Sequence, residues 1–126
     1  MVTHSIEHIQ ERLEFIQRFL EAQYDSDEGN LIHDRLTELG AYMAESGKLK
    51  ADAEYHYNAR MMTDLVKALT GLLPDYSSAT LQNAFVKSLA KDERQLVTYA
   101  DRVNRSCTHQ IEVLRTQLSY IKSLPK

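Results

Sequence analysis

The stretch that decides the fold is residues 31–72, LIHDRLTELGAYMAESGKLKADAEYHYNARMMTDLVKALTGL. Ile32, Leu36, Leu39 and Met43 recur at steps of four, three and four, the stripe of an α-helix. Ala53, Tyr57, Met61, Leu65, Ala68, Leu69 and Leu72 carry an apolar pattern onward. Between the two runs stands Ser46-Gly47, a pair that can end a helix with a left-handed glycine cap. Against a break, Gly40, Ala44, Gly47 and Ala51 are themselves four, three and four apart. On an unbroken helix they make a stripe of small side chains along which another helix can approach closely. The uninterrupted helix is the favoured reading, and at about 1.5 Å per residue it reaches roughly 60 Å. A chain of 126 residues is too small to enclose such a helix in a compact core. The expected class is therefore all-α, a long-helix hairpin or bundle with coiled-coil-like packing that associates with further copies of itself.

Outward from this helix the rest of the chain follows the same period. Ile6, Ile9, Leu13, Ile16 and Leu20 place one apolar stripe on a helix over about 5–24, with Ser5 as its N-cap and Phe15 and Phe19 widening the face. Asp25-Ser26-Asp27-Glu28-Gly29-Asn30 reads as the loop to the long helix. Pro74, Asp75, Ser77 and Ser78 mark a hinge over 71–78. Leu81, Phe85 and Leu89 predict a short helix over about 80–90, with the run through Lys91 and Asp92 left open. Leu96, Val103, Cys107, Ile111, Leu114, Leu118 and Ile121 predict a last long helix over about 93–123 with a bundle-like seam. With no internal repeat and no linker composition, residues 1–126 read as one helical domain.

Composition narrows the class further. Four glycines and two prolines are too few for a sheet-rich chain with many tight turns, and the single Cys107 excludes an internal disulfide. The polar start around His4, Glu7, His8 and Glu11 does not resemble a signal peptide, and no apolar run is long enough to cross a bilayer, so a cytoplasmic protein without membrane contact is expected. The net charge of −3 conceals an asymmetry: residues 1–47 hold three basic and ten acidic side chains, net −7, whereas 48–126 hold twelve and eight, net +4. Such polarity serves packing between subunits, or leaves the second half as a basic surface for an acidic partner such as nucleic acid.

Catalytic signatures are missing: the chain has no phosphate-binding glycine loop, no nucleophile elbow and no paired cysteines. A non-enzymatic protein without a cofactor is the expectation. His4 and His8 share a helix face, but two histidines at a chain end fall short of the three or four ligands of a zinc site, so no metal is expected. Cys107 falls on the apolar seam, where an inert buried thiol is expected. The polar side of the last helix carries more information. Arg94, Arg102, Arg105, Arg115 and Lys122 are opposed by Glu93, Asp101 and Glu112, and Arg94, Arg102 and Arg105 cluster with His109 away from the leucine seam. Such residues can neutralise phosphates without reading bases, although most charged helix faces are merely solvated. Tyr55, Tyr57 and Tyr99 are suited to stacking on unpaired bases or, equally, to half-buried packing.

Asn104-Arg105, then Leu114-Arg115-Thr116-Gln117-Leu118-Ser119 and Lys122, resemble the carboxyl-terminal pattern of small helical phage and prophage proteins. Leu39 to Ala44, followed by Leu49-Lys50-Ala51-Asp52-Ala53 and Tyr55 to Tyr57, are similar to the long-helix region of the same group, the UvsY-type recombination mediators. The resemblance spans residues 36–122 loosely and leaves the acidic helix over 1–24 without a counterpart. It implies a helical homo-oligomer that binds single-stranded DNA and helps load a recombinase in place of a single-strand-binding protein. Arg102, Arg105, Arg115 and Lys122 are the basic positions it carries over. The alternative expectation is a helical oligomerisation or scaffold module that displays surfaces to protein partners and has no nucleic-acid role.

Overall fold

The computed structural model describes residues 2–22, 28–71 and 79–125, and among these every regular element is a helix. They are α1 (Ile6–Glu21), α2 (Gly29–Gly71), α3 (Ala79–Ser88) and α4 (Lys91–Ser123). Helix α2 runs through Gly47 without a break, so the Ser46-Gly47 pair is not a cap. Its 43 residues extend over about 65 Å. Helix α4 lies antiparallel along it: Gly29 meets Leu118, Met43 meets Asn104, and Tyr57 meets Arg94.

Helix α1 fills one side of this hairpin. Its apolar stripe of Ile9, Leu13, Ile16 and Leu20 is buried against Ile32, Leu39, Leu49 and Ala53 of α2 and Leu96, Ala100, Val103, Cys107 and Leu114 of α4. Each large aliphatic side chain removed from water contributes about 1.5–3 kcal/mol, so this seam is the main source of stability. Polar clamps hold both ends of the helix. At the start the Ser5 side chain accepts from the His8 N–H (3.2 Å), and the His4 N–H donates to the buried Asp52 carboxylate (3.1 Å). At the end Arg35 donates to the Phe19 carbonyl (3.0 Å) and Gln110 to the Leu20 carbonyl (2.8 Å), satisfying acceptors that a helix leaves open at its C-terminus. The Arg35 guanidinium also stacks over the Phe19 ring, 3.9 Å from its centre.

Helix limits differ from the sequence expectation where tertiary contacts intervene. Helix α1 stops at Glu21, because Ala22 is already extended with φ −63° and ψ 128°. Helix α2 starts at Gly29, taking Gly29 and Asn30 from the expected loop, with Leu118 of α4 against the glycine. The expected loop residues 25–27, the Pro74 hinge and the Leu81 side chain lie outside the described residues. Helices α3 and α4 do not run together through Lys91 and Asp92. They are separated at Leu89-Ala90, both buried, where Ala90 takes a left-handed conformation with φ 49° and ψ 40°. Asp64 of α2 accepts the Ala90 N–H (3.2 Å), and Arg94 reaches back to the Lys87 carbonyl (2.9 Å).

A left-handed alanine costs about 1–2 kcal/mol that a glycine would not incur. Ala90→Gly is therefore expected to raise the urea midpoint, by about 0.5–1 kcal/mol of stability after the more flexible unfolded glycine is allowed for. A lower midpoint would mean that the buried methyl outweighs the strain.

Because α1 is only about 24 Å long, it covers only part of the hairpin. His4 sits at the level of Asp52 and His56, and beyond Ala53 no α2 residue is buried until Ala68. Tyr55, Met62 and Val66 remain 60%, 63% and 56% exposed on this distal part. The small-residue stripe is open at its glycines: a Cβ on Gly40 would meet nothing within 4 Å, and one on Gly47 only the Asn104 side chain of α4 at 3.7 Å.

Candidate nucleic-acid interface

The acidic and basic halves of the sequence do not form two poles of the molecule. The antiparallel hairpin lays the basic α4 beside the acidic first half, and Lys50 of α2 pairs with Asp101 of α4 (3.1 Å). The five candidate basic residues of α4 are spread over about 42 Å of helix and divide into three settings. Arg94 is half-buried at the α3–α4 bend, its guanidinium 5.7 Å from the Tyr57 ring centre and within 3.4 Å of the Tyr57 hydroxyl. It is a structural residue, which removes it from the expected cluster with Arg102, Arg105 and His109. Those three remain together on the exposed side of α4. Arg105 is 80% exposed and ion-paired with Asp101 (3.0 Å), so half of the local positive charge is already met within the chain.

Arg115 and Lys122 sit on another flank. Arg115 borders an open groove of about 490 Å³ between α2 and α4, which also takes in Thr37, Gly40 and Met43 on one wall and Thr108 and Ile111 on the other. Glu112 is on the same rim. Lys122 is exposed two helical turns further on, on the same face by its seven-residue spacing. A polar ladder closes the base of this side of the hairpin: Asn104 donates to the Met43 carbonyl (2.9 Å) and to the buried Ser46 hydroxyl (3.0 Å), which donates to the same carbonyl (3.0 Å).

The tyrosines separate as well. Tyr55 is exposed, Tyr57 lies under Arg94, and Tyr99 is half-buried beside Ile6 and Gln10. Burial, with the Glu14 and Glu21 charges behind it, pushes the Tyr99 phenol up. Only Tyr55 of the three presents its ring for stacking. Cys107 is fully buried, and burial raises its thiol above the ordinary range, as an inert packing residue requires. The His4 and His8 rings stack with centres 4.4 Å apart, and His56 donates to the His4 carbonyl (2.7 Å), so this group pins the chain start to α2. Among the described residues no group of three or more His, Cys, Asp or Glu side chains could hold a metal ion, and no helix is long and apolar enough to cross a membrane.

Arg35, Asp52 and Gln110 carry the placement of α1, and sequence reasoning missed all three. Their partners lie 16, 48 and 90 residues away, beyond any periodic signal. The chain matches no protein-family model, no curated protein and no solved structure. What the fold and surface define is an α-helical hairpin clamped by a third helix, with exposed basic residues on α4 and, on the distal part of α2, exposed Tyr55, Met62 and Val66.

Proposed function

We propose that this chain is a non-enzymatic, phage-like accessory protein of DNA recombination or replication that acts in the cytoplasm as a homo-oligomer and binds single-stranded DNA. It would contact the strand through α4 while recombination proteins act on the same DNA. The observation that carries this reading is the exposure of Arg102, Arg105, His109, Arg115 and Lys122 along roughly 30 Å of one helix whose opposite seam is buried in the core. Side chains so arranged hold phosphates by charge and read no base, so binding is tolerant of sequence and sensitive to salt. Exposed Tyr55 adds a ring on which a base can stack.

Fluorescence anisotropy with a labelled oligo-dT strand at low and moderate salt tests the proposal. Reversal of Arg102, Arg105 and Arg115 to Glu is expected to weaken binding at least about 30-fold at low salt and to flatten a slope of about −0.7 per phosphate contacted. A folded protein that binds no strand at low salt sinks this reading. The second reading, a scaffold for protein partners without a nucleic-acid role, is favoured by the exposed Tyr55, Met62 and Val66 of α2, and partner retention after nuclease treatment separates the two.

A further inference from the structure

Along the outside of α2, Thr37, Gly40, Ala44, Ala51, Tyr55, Met62 and Val66 follow one another at helical spacing, with Thr37 and Gly40 at the edge it shares with the α2–α4 groove. All but half-buried Gly40 are exposed. The flanking Lys48 is turned back to Asp52 (2.5 Å). Within the chain nothing calls for glycine at position 40, where a Cβ would find open space, although glycine destabilises a helix interior relative to alanine. Small side chains occupy the first half of the face and large ones the second. A face of this kind is complementary to its own inverted copy.

We infer that α2 packs on α2 of a second copy of this chain, antiparallel, about a two-fold axis at Ala51. In this register Tyr55 of one copy covers Gly47 of the partner subunit, Met62 covers Gly40 of the partner subunit, and the two Ala51 residues meet at the centre. Small side chains at the crossing let the backbones approach, and each large side chain fills the space that a glycine leaves. The extent also suffices: from Gly40 to Val66 the face is about 40 Å long and about 10–12 Å wide, roughly 1,000 Å² over both copies, where specific contacts begin. This pairing deepens the self-association in the proposed function and rests on it, but it does not require DNA.

Sedimentation of the full chain without DNA, over a wide range of concentration, tests the interface. The wild-type chain is expected to form dimers or assemblies built from them. Ala51→Glu sets two like charges together at the axis, and Gly40→Gln fills the space needed by Met62 of the partner subunit. Each is expected to weaken association at least tenfold with helical content unchanged. Gly40→Gln should at the same time raise the thermal stability of the separated subunit, because glutamine is the better helix former. Thr98→Glu, on the exposed side of α4, should leave association as it was. A wild-type chain that stays monomeric, or an oligomer that Ala51→Glu and Gly40→Gln leave intact, overturns the inference. Failure of strand binding alone leaves it standing, and monomeric protein that binds oligo-dT overturns this interface while keeping the DNA reading.

Discussion

Leu13→Ala is expected to destabilise the protein by about 3 kcal/mol, within the 2–5 kcal/mol found when a buried leucine is cut back in a core that cannot collapse around the gap. Leu13 is fully buried between α2 and α4, with Ile9 and Ile16 equally enclosed one turn to either side. Domains of this size have only about 5–15 kcal/mol in hand, so the loss is a large part of the total. The neighbouring Glu14 points to solvent, and Glu14→Ala should change stability by no more than about 0.5 kcal/mol. Urea unfolding of the two variants side by side measures the difference. Equal midpoints would mean that α1 is not docked in the hairpin, and the account of the core would fail with it.

The second large effect concerns the polar clamp at the start of α1 and its dependence on pH. Asp52 is buried at 5% exposure, which by itself raises its carboxyl; the Lys48 ammonium and the His4 N–H outweigh this and hold it below the ordinary value. Glu45 is lowered too, chiefly by its 2.6 Å hydrogen bond from Arg12. A folded-state value below the unfolded one means that the unfolded chain takes up the proton more readily. The stabilisation is then complete above the unfolded values near pH 4, and it is lost as pH falls from there through the folded values. Asp52→Ala is expected to cost about 2 kcal/mol at neutral pH, since it leaves the His4 N–H and Lys48 without their acceptor. The gap to the wild type should narrow on acidification. Urea titrations at pH 7 and about pH 3.5 decide the matter: a gap of the same size at both would assign the loss to packing and not to the carboxylate. Amide exchange at His4 should rise in the same variant, because that N–H loses its only described partner on α2.

How much of the candidate site could be read in advance follows from what a helix makes periodic. Arg102, Arg105 and His109 were legible as an exposed group, because residues three and four apart share a helix face whatever surrounds them. Arg94 was not separable from them by spacing. Its role depends on Tyr57, 37 positions earlier, and on the turn at Ala90 that brings the two together. Arg115 and Lys122 were legible as charged, but their placement beside an open groove depends on which flank of α4 the second helix takes. Only Asp101 shows how far Arg105 is neutralised, and it does so through a contact with Lys50 that crosses the hairpin.

Local patterning makes the chain helical and sets its apolar stripes on Ile9 to Leu20, Ile32 to Met43 and Leu96 to Ile121; at Gly47 it favours an unbroken helix over a glycine cap without choosing between them, and the structure shows the unbroken helix. Backbone hydrogen bonding and side-chain period are local, and they act within about one helical turn. The tertiary structure docks α1 in one groove and ends it at the level of Asp52 and His56, short of the exposed Tyr55, Met62 and Val66 of α2. It also decided that Arg35 and Gln110 close the α1 terminus, that Ala90 bends left-handed against Asp64, and that the acidic and basic halves lie side by side. Each of these rests on partners far apart in the chain, and a residue's period carries no information about which distant side chain will meet it.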